Sequence, residues 1–225
     1  MQYEIQHQGF SALMRVKLDK GESFKAVSGS LVAKSSTIKM HSVAEGGAVK
    51  SLKRALLGGE KMFFLELEAK EHGEVLIAPT ATGNIAVLDV QPDYELMLQG
   101  GNVLATFGEI DIETLVQQVP SGLITGEGLF VLKAKGTGAV AIGAFGDVHQ
   151  LSIAPGCEFL VDHAHLLAWQ GADSFTVEKA SRGWISSLLS GEGLLCKFAG
   201  PTQLWLQTRN AQAFSHWVKH PTLTG

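Results

Sequence analysis

Charged residues, proline and cysteine are all scarce in this sequence. Of its 225 residues only 18% are charged, six are proline and two are cysteine. No run approaches the roughly 18 apolar residues of a membrane-spanning helix. The first residues lack the basic and then apolar segments of a secretory signal, and also the arginine-rich character of a mitochondrial transit peptide. We therefore expect a cytoplasmic protein, and any contact with a membrane should be peripheral.

Signatures that would assign a function directly are missing as well. Eighteen Lys and Arg against 22 Asp and Glu give a formal net charge of −4, which disfavours nucleic-acid binding. The chain has neither a phosphate-binding Gly-x-x-x-x-Gly-Lys loop nor a Gly-x-Ser-x-Gly nucleophile elbow. Cys157 and Cys196 form no Cys-x-x-Cys pair and lie in apolar, strand-like runs, so we expect two buried, reduced thiols.

Apolar residues and glycine are plentiful, and they recur in a threefold pattern. Three windows of equal length match in character without a gap, and they begin at Leu18, Val90 and Ile153 and end at Ala33, Ala105 and Ala168. A second marker repeats with nearly the same period, at Gly59-Glu60, Gly126-Glu127 and Gly191-Glu192. These two markers predict one domain of three repeats, at about residues 11–80, 83–145 and 146–208.

Many short alternating segments separated by turn residues predict an all-β fold of sandwich or barrel type. Each repeat is expected to hold strands, a polar turn, a short helix-like segment and a hairpin. The helix-like segments are 49–57, 114–119 and 183–189, and the return strands are 74–78, 139–144 and 203–207. The repeats should pack around a pseudo-threefold axis, because each sheet alone leaves an apolar face uncovered. Asn210 can cap a short C-terminal helix over 210–219.

Five segments carry a resemblance to a known family. Residues 58–64, 74–79, 83–85, 100–105 and 123–130 resemble the altered-inheritance-of-mitochondria protein twenty-four family, and the likeness spans about residues 10–209. The resemblance implies a fold like that of the tryptophan RNA-binding attenuator protein, which is a short double-stranded β-helix. It also implies an oligomer, and for mitochondrial relatives a role in inner-membrane organisation. It implies no catalytic residue and no cofactor.

His163 and His165 are the weak metal candidates of the sequence. Two His at positions i and i+2 of a strand share a face and can share a metal, as in cupins. No carboxylate occurs in the five residues that follow them, and the repeat alignment places them where the other copies have the turns Ser28-Gly29-Ser30 and Gly100-Gly101-Asn102. We therefore expect a loop role and no bound metal.

Two further patterns admit a binding role. The repeated Glu60, Glu127 and Glu192 form either a ring of carboxylates or simple strand-start residues. Lys50, Lys53 and Arg54 flank an apolar stripe that includes Leu56, and Trp184 lies in the equivalent segment of the third repeat. Such a basic amphipathic segment either packs on the sheet or contacts a partner or an anionic membrane.

The sequence thus favours a non-enzymatic β-repeat protein that acts as an oligomeric scaffold or interaction module. We expect a homo-oligomer, with a trimer as one option, and a contact with an unknown protein or an anionic membrane surface. The alternative is a small-molecule or metal-binding protein, even an enzyme, with a cupin-like interior.

Overall fold

A computed structural model describes residues 1–43, 63–117, 129–171, 174–177 and 195–219 of the chain. Strands dominate them, so the predicted all-β fold is confirmed. An N-terminal strand and the first repeat contain β1 Gln2–Gln6, β2 Leu13–Leu18, β3 Ser23–Val27, β4 Leu31–Lys34, β5 Ile38–Val43, β6 Phe64–Ala69 and β7 Gly73–Ile77. The second contains β8 Ile85–Val90, β9 Leu96–Gln99, β10 Val103–Gln117 and β11 Leu129–Gly143. The third contains β12 Val148–Ile153, β13 Glu158–Asp162, β14 Leu166–Gln170, β15 Phe175–Val177, β16 Leu195–Ala199 and β17 Thr202–Gln207.

The three repeats share one strand register. The first strand of each repeat pairs antiparallel with its return strand through Met14↔Ile77, Ala86↔Ile142 and His149↔Leu206. The same return residues pair with the third strand through Leu31↔Ile77, Val103↔Ile142 and Leu166↔Leu206. A register irregularity follows at one shared position, between Leu31 and Ala33, Val103 and Ala105, and Leu166 and Ala168. A bulge is a built feature of a sheet, and here the same pairing and the same irregularity recur in all three segments.

Neighbouring repeats are joined by strand pairing and by a close backbone approach. Strand β3 of the first repeat pairs with β10 of the second, and β9 of the second pairs with β14 of the third. Near the repeat starts, Gly83 forms parallel bridges with both Ser11 and Gly146, which are its equivalents in the other repeats. A Cβ atom at Gly83 would lie 2.6 Å from the Gly146 backbone nitrogen, so only glycine fits there.

The buried residues form three core clusters that follow the repeats. The first cluster joins β2, β3 and β7 of the first repeat to Leu104, Ala105 and Phe107 of the second. The second cluster joins the second repeat to Leu167 and Ala168 of the third. The third contains Trp169, Phe175 and Phe198, whose rings lie within 5.8 Å of one another by centroid distance. Each of the first two cores is therefore completed by the repeat that follows it.

Two predictions of local structure are wrong. Thr114–Gln117, predicted as the start of a helix-like segment, continues strand β10, because it pairs with β11 from Thr114↔Leu132 to Gln117↔Leu129. Cys157 is exposed rather than buried, because its N–H donates to Ala154 O and closes a turn ahead of β13. Cys196 is buried on β16, as expected. The segments 49–57 and 183–189 lie outside the described residues.

The chain ends in an α-helix, α1 Ala211–Lys219. The side-chain oxygen of Asn210 accepts a hydrogen bond from Ala213 N at 3.0 Å, which is the N-cap geometry that the sequence predicts. Among the described residues, no helix combines the length and apolarity needed to cross a bilayer.

Candidate functional site

In the part of the chain that the structure describes, the contacts that join repeats one to two and two to three have no counterpart between repeats three and one. By the repeat alignment, that counterpart is a pairing of β4 with β13. Within the described residues β4 pairs only with β7, and β13 pairs only with β16. The sheet of β1, β2, β7 and β4 and the sheet of β13, β16 and β15 therefore remain separate, whereas the other strands merge into one sheet. We call the outer edges of β4 and β13 the open edges.

Apolar residues that are buried at the two formed junctions are exposed at the open edges. Val32 on β4 is 58% exposed, whereas its equivalents Leu104 and Leu167 are 5% and 0% exposed. Ala33 is likewise exposed, although its equivalents Ala105 and Ala168 are fully buried. On β13, Phe159 is 44% exposed and Leu160 is 47% exposed. The open edges therefore expose apolar residues, whereas a neighbouring repeat covers the equivalent residues at the two formed junctions.

The open edges carry opposite charge. Lys34 is the only ionisable residue of β4, and its Nζ donates to Ile38 O at 2.8 Å. Strand β13 carries Glu158 and Asp162 and no basic residue. Lys197 on the neighbouring β16 forms an ion pair with Glu158 at 2.7 Å. The two carboxylates therefore lie on one open edge and the lysine on the other.

Asp162 also organises the turn that holds the two candidate histidines. His163–His165 is a single 3-10 turn, and Asp162 Oδ1 accepts a hydrogen bond from Ala164 N at 3.0 Å. The pKa of the Asp162 carboxyl is lowered, chiefly by the His163 imidazole, while partial burial opposes the effect and the Ala164 N–H adds to it. His163 Nδ1 lies 3.5 Å from Asp162 Oδ1, which is long for a hydrogen bond.

His165 is tied to the strand behind this turn. Its Nδ1 lies 2.7 Å from the backbone oxygen of Gln207. The same Gln207 donates from its side-chain nitrogen to Ala164 O at 2.7 Å. The two histidines therefore occupy a turn, at the position where the repeat alignment places one. Over the described ranges, no group of three or more His, Cys, Asp and Glu side chains is placed to hold a metal ion.

A cavity of about 380 Å³ lies between the turns of the repeats. Its walls come from all three repeats and include Ser28–Ser30, Gly101–Leu104, Gly143–Phe145 and Gln207. No acidic, basic, histidine or cysteine side chain is among the described lining residues. This wall can form hydrogen bonds through its serine, threonine, asparagine and glutamine side chains, and no acid or base among its described residues lies beside the serine hydroxyls.

Helix α1 presents a second exposed apolar surface. Phe214, Trp217 and Val218 are each about half exposed, and no residue of the helix is buried. Phe214 packs edge-on against Phe145 with 5.2 Å between ring centroids, which holds the helix beside the end of the second repeat. The last turn carries His216 and Lys219, and the helix contains no acidic residue.

The other residues singled out by the sequence lie outside the described residues. These are Lys50, Lys53, Arg54, Leu56 and Trp184 of the basic amphipathic segments, together with Glu60, Glu127 and Glu192. A membrane or partner contact through the basic segments therefore stays a prediction, as does a carboxylate ring.

Comparison with known proteins assigns the family. The family profile described as mitochondrial biogenesis AIM24 matches residues 3–209, so the chain belongs to this family and the resemblance seen in the sequence is confirmed. An uncharacterized protein of Streptococcus pyogenes serotype M6 is 24% identical over 226 residues, which cover 97% of this chain and 90% of that protein. A crystal structure of a Streptococcus pyogenes protein superposes with a TM-score of 0.78 and 24% identity, covering 98% of this chain and 99% of the other. This likeness supports the fold and no particular activity.

The sequence did not reveal the open edges. Val32, Leu104 and Leu167 are all apolar, so nothing in their residue types separates the exposed position from the two buried ones. The charge difference between the two strands was visible as Lys34 on one side and Glu158 and Asp162 on the other. This charge difference points to a contact between the two strands only when the strand pairing at the other two junctions is known.

Proposed function

We propose that this chain is a non-enzymatic interaction module that assembles with further copies of itself. The observation that supports the proposal is the pair of open edges. Val32, Phe159 and Leu160 are exposed there, although the residues at the equivalent positions of the other repeats are largely buried. Unpaired strand edges with apolar side chains are surfaces that native proteins cover or use for association.

The chemistry of the described residues agrees with a role in binding rather than catalysis. The described lining of the cavity between the turns is uncharged, and His165 contacts the backbone of Gln207 while His163 lies beside Asp162. An assembly module needs rigid, complementary surfaces, and a sheet framework of three β repeats provides them.

Light scattering coupled to size-exclusion chromatography tests the proposal. A chain of 24.0 kDa that assembles should give a mass above that of one copy, and the mass should rise with concentration between about 1 and 100 μM. The association should persist in high salt, because apolar burial is not screened as surface ion pairs are. A constant mass of one copy over the whole range would refute the proposal.

Attachment to a membrane surface is a second candidate function, and helix α1 favours it. Its exposed Phe214, Trp217 and Val218, with Lys219 and without any acidic residue, are features that it shares with helices that lie in the headgroup region of anionic membranes.

Co-sedimentation with vesicles tests this second function. We expect binding to vesicles with anionic lipid, weaker binding to neutral ones, and loss of both with the double variant Phe214→Ser, Trp217→Ser. The matched control is Phe10→Ser, which removes an aromatic ring that is 80% exposed elsewhere on the molecule. Equal sedimentation of the double variant and the control would exclude attachment through α1.

A further inference from the structure

We propose that the missing third junction is formed between copies, with β4 of one chain pairing antiparallel with β13 of the next. The inference rests on the proposed function and specifies its interface. Each chain has one open edge of each kind, so the contact is head-to-tail. Such a contact closes into a ring or extends into a filament, according to the rotation between copies.

The formed junctions predict the register of this pairing. At the first, Ala105 lies opposite Ala26 and Thr106 opposite Lys25. At the second, Ala168 lies opposite Leu98, and Gln170 lies opposite Leu96. The equivalent residues place Ala33 opposite Val161, Lys34 opposite Leu160 and Ser35 opposite Phe159 of the second copy.

This register brings complementary groups together. Lys34 faces Leu160, and Glu158 and Asp162 are the diagonal neighbours of that position, within reach of a lysine side chain. Pairing two β13 edges would instead bring acidic residues together, and pairing two β4 edges would bring two lysines together. A second copy in head-to-tail orientation is therefore the occupant that fits both edges.

The pairing also completes the third core in the way that the other two are completed. Leu104 and Ala105 cover the first core, and Leu167 and Ala168 cover the second. As far as the described residues extend, the third core contains no residue of the first repeat. Val32 and Ala33 of a second copy would take that place, beside the exposed ring of Phe159.

Two charge variants on opposite edges test the proposal. Lys34→Glu places a carboxylate beside Glu158 and Asp162 of the next copy, and Leu160→Lys places an ammonium group opposite Lys34. Each variant alone should weaken association at least tenfold, by light scattering over the concentration range above. A 1:1 mixture should assemble again, because the carboxylate introduced in one variant then faces the ammonium group introduced in the other, and the remaining edges are unaltered.

The controls are the same types of substitution away from the edges. Lys39→Glu lies on β5 at an exposed position, and Val218→Lys lies on α1. Both should assemble as the unaltered chain does. Single variants that stay assembled would overturn the head-to-tail interface while leaving self-assembly intact. An unaltered chain that remains a single copy would defeat the proposed function itself.

Disulfide trapping checks the register independently of the charge variants. In a Cys157→Ser background, Lys34→Cys and Leu160→Cys protein should form a cross-linked dimer when mixed under mild oxidation, since opposed strand residues have closely spaced Cβ atoms. Neither variant alone should cross-link to itself. A chain with both substitutions that closes its disulfide within a single copy would overturn the proposal, because the edges would then meet inside one molecule.

Discussion

The side-chain oxygen of Gln207 accepts a hydrogen bond from the backbone N–H of Phe145 at 3.0 Å, which links the last strand of the third repeat to the end of the second. The side-chain nitrogen of the same residue donates to Ala164 O at 2.7 Å. Gln207 is only 7% exposed, so both partners depend on it rather than on solvent. One buried amide thus connects the end of one repeat with the turn of the next.

Replacing this amide should destabilise the fold. Gln207→Leu leaves Phe145 N and Ala164 O without their partner, and an unsatisfied buried polar group costs about 1–3 kcal/mol. We expect a loss of that order in the free energy of unfolding, measured by urea denaturation. Gln150→Leu, at an exposed position of β12, should change it by less than about 0.5 kcal/mol. Equal stability of the two variants would contradict the structural role of Gln207.

Gly83 should tolerate no side chain. A Cβ atom there would approach the backbone of Gly146 to 2.6 Å, at the point where the three repeat starts meet. Because the atoms in the way are backbone atoms of Ala144 and Gly146, which cannot withdraw without separating the repeats, Gly83→Ala should cost more than about 4 kcal/mol. The equivalent substitution Ser11→Ala, at an exposed position, provides the control. Thermal unfolding followed by circular dichroism measures both, and a Gly83→Ala protein as stable as Ser11→Ala would disprove this close approach.

The two cysteines should differ sharply in reactivity. Burial, helped by the nearby charge of Asp162, raises the pKa of the Cys196 thiol to about 12, so it stays protonated and unreactive in the folded protein. Cys157 is exposed in its turn. A colorimetric thiol reagent at pH 8 should therefore label one cysteine in the folded protein and two in denaturant. Cys157→Ser should leave no thiol that reacts in the folded state, and rapid labelling of Cys196 would argue against its burial.

Asp162 should make stability depend on pH in the acid range. Its pKa is lower in the folded chain than its ordinary value of 3.8. The carboxylate therefore adds stability above the unfolded pKa, and this contribution disappears as pH falls through the folded pKa. The difference in unfolding free energy between the unaltered chain and Asp162→Asn should shrink from pH 6 towards pH 2. Asp111→Asn, at an exposed position of β10, is the control for removing one carboxylate. If the difference in unfolding free energy stays constant with pH, the Asp162 carboxylate does not cause the pH dependence.

Much of the architecture was accessible from local sequence. The return strands predicted at 74–78 and 203–207 correspond to β7 Gly73–Ile77 and β17 Thr202–Gln207. The turn at Ser28–Ser30 and the cap at Asn210 also follow from residue types alone, because turn and cap preferences act between near neighbours in the chain. The internal repeat was visible because three copies of one unit need apolar residues at the same positions.

The two failures of prediction have different causes, one a strand partner distant in sequence and the other a local turn. Thr114–Gln117 alternates weakly and has no strong local preference, yet it extends β10 because β11 pairs with it over its whole length. Cys157 stands among apolar residues, but the turn that precedes β13 carries it to the surface. In both cases a long-range contact or a turn geometry outweighs the local pattern.

The amino-acid sequence by itself determined the β unit, its threefold repetition and the membership of the chain in its family. Period-two alternation and glycine turns are local properties, and they are copied in each repeat. Only the tertiary structure decided that the edges of β4 and β13 stay apart while the equivalent edges pair. Val32 has the same apolar character as Leu104 and Leu167, and its exposure depends on whether a strand from another repeat lies beside it.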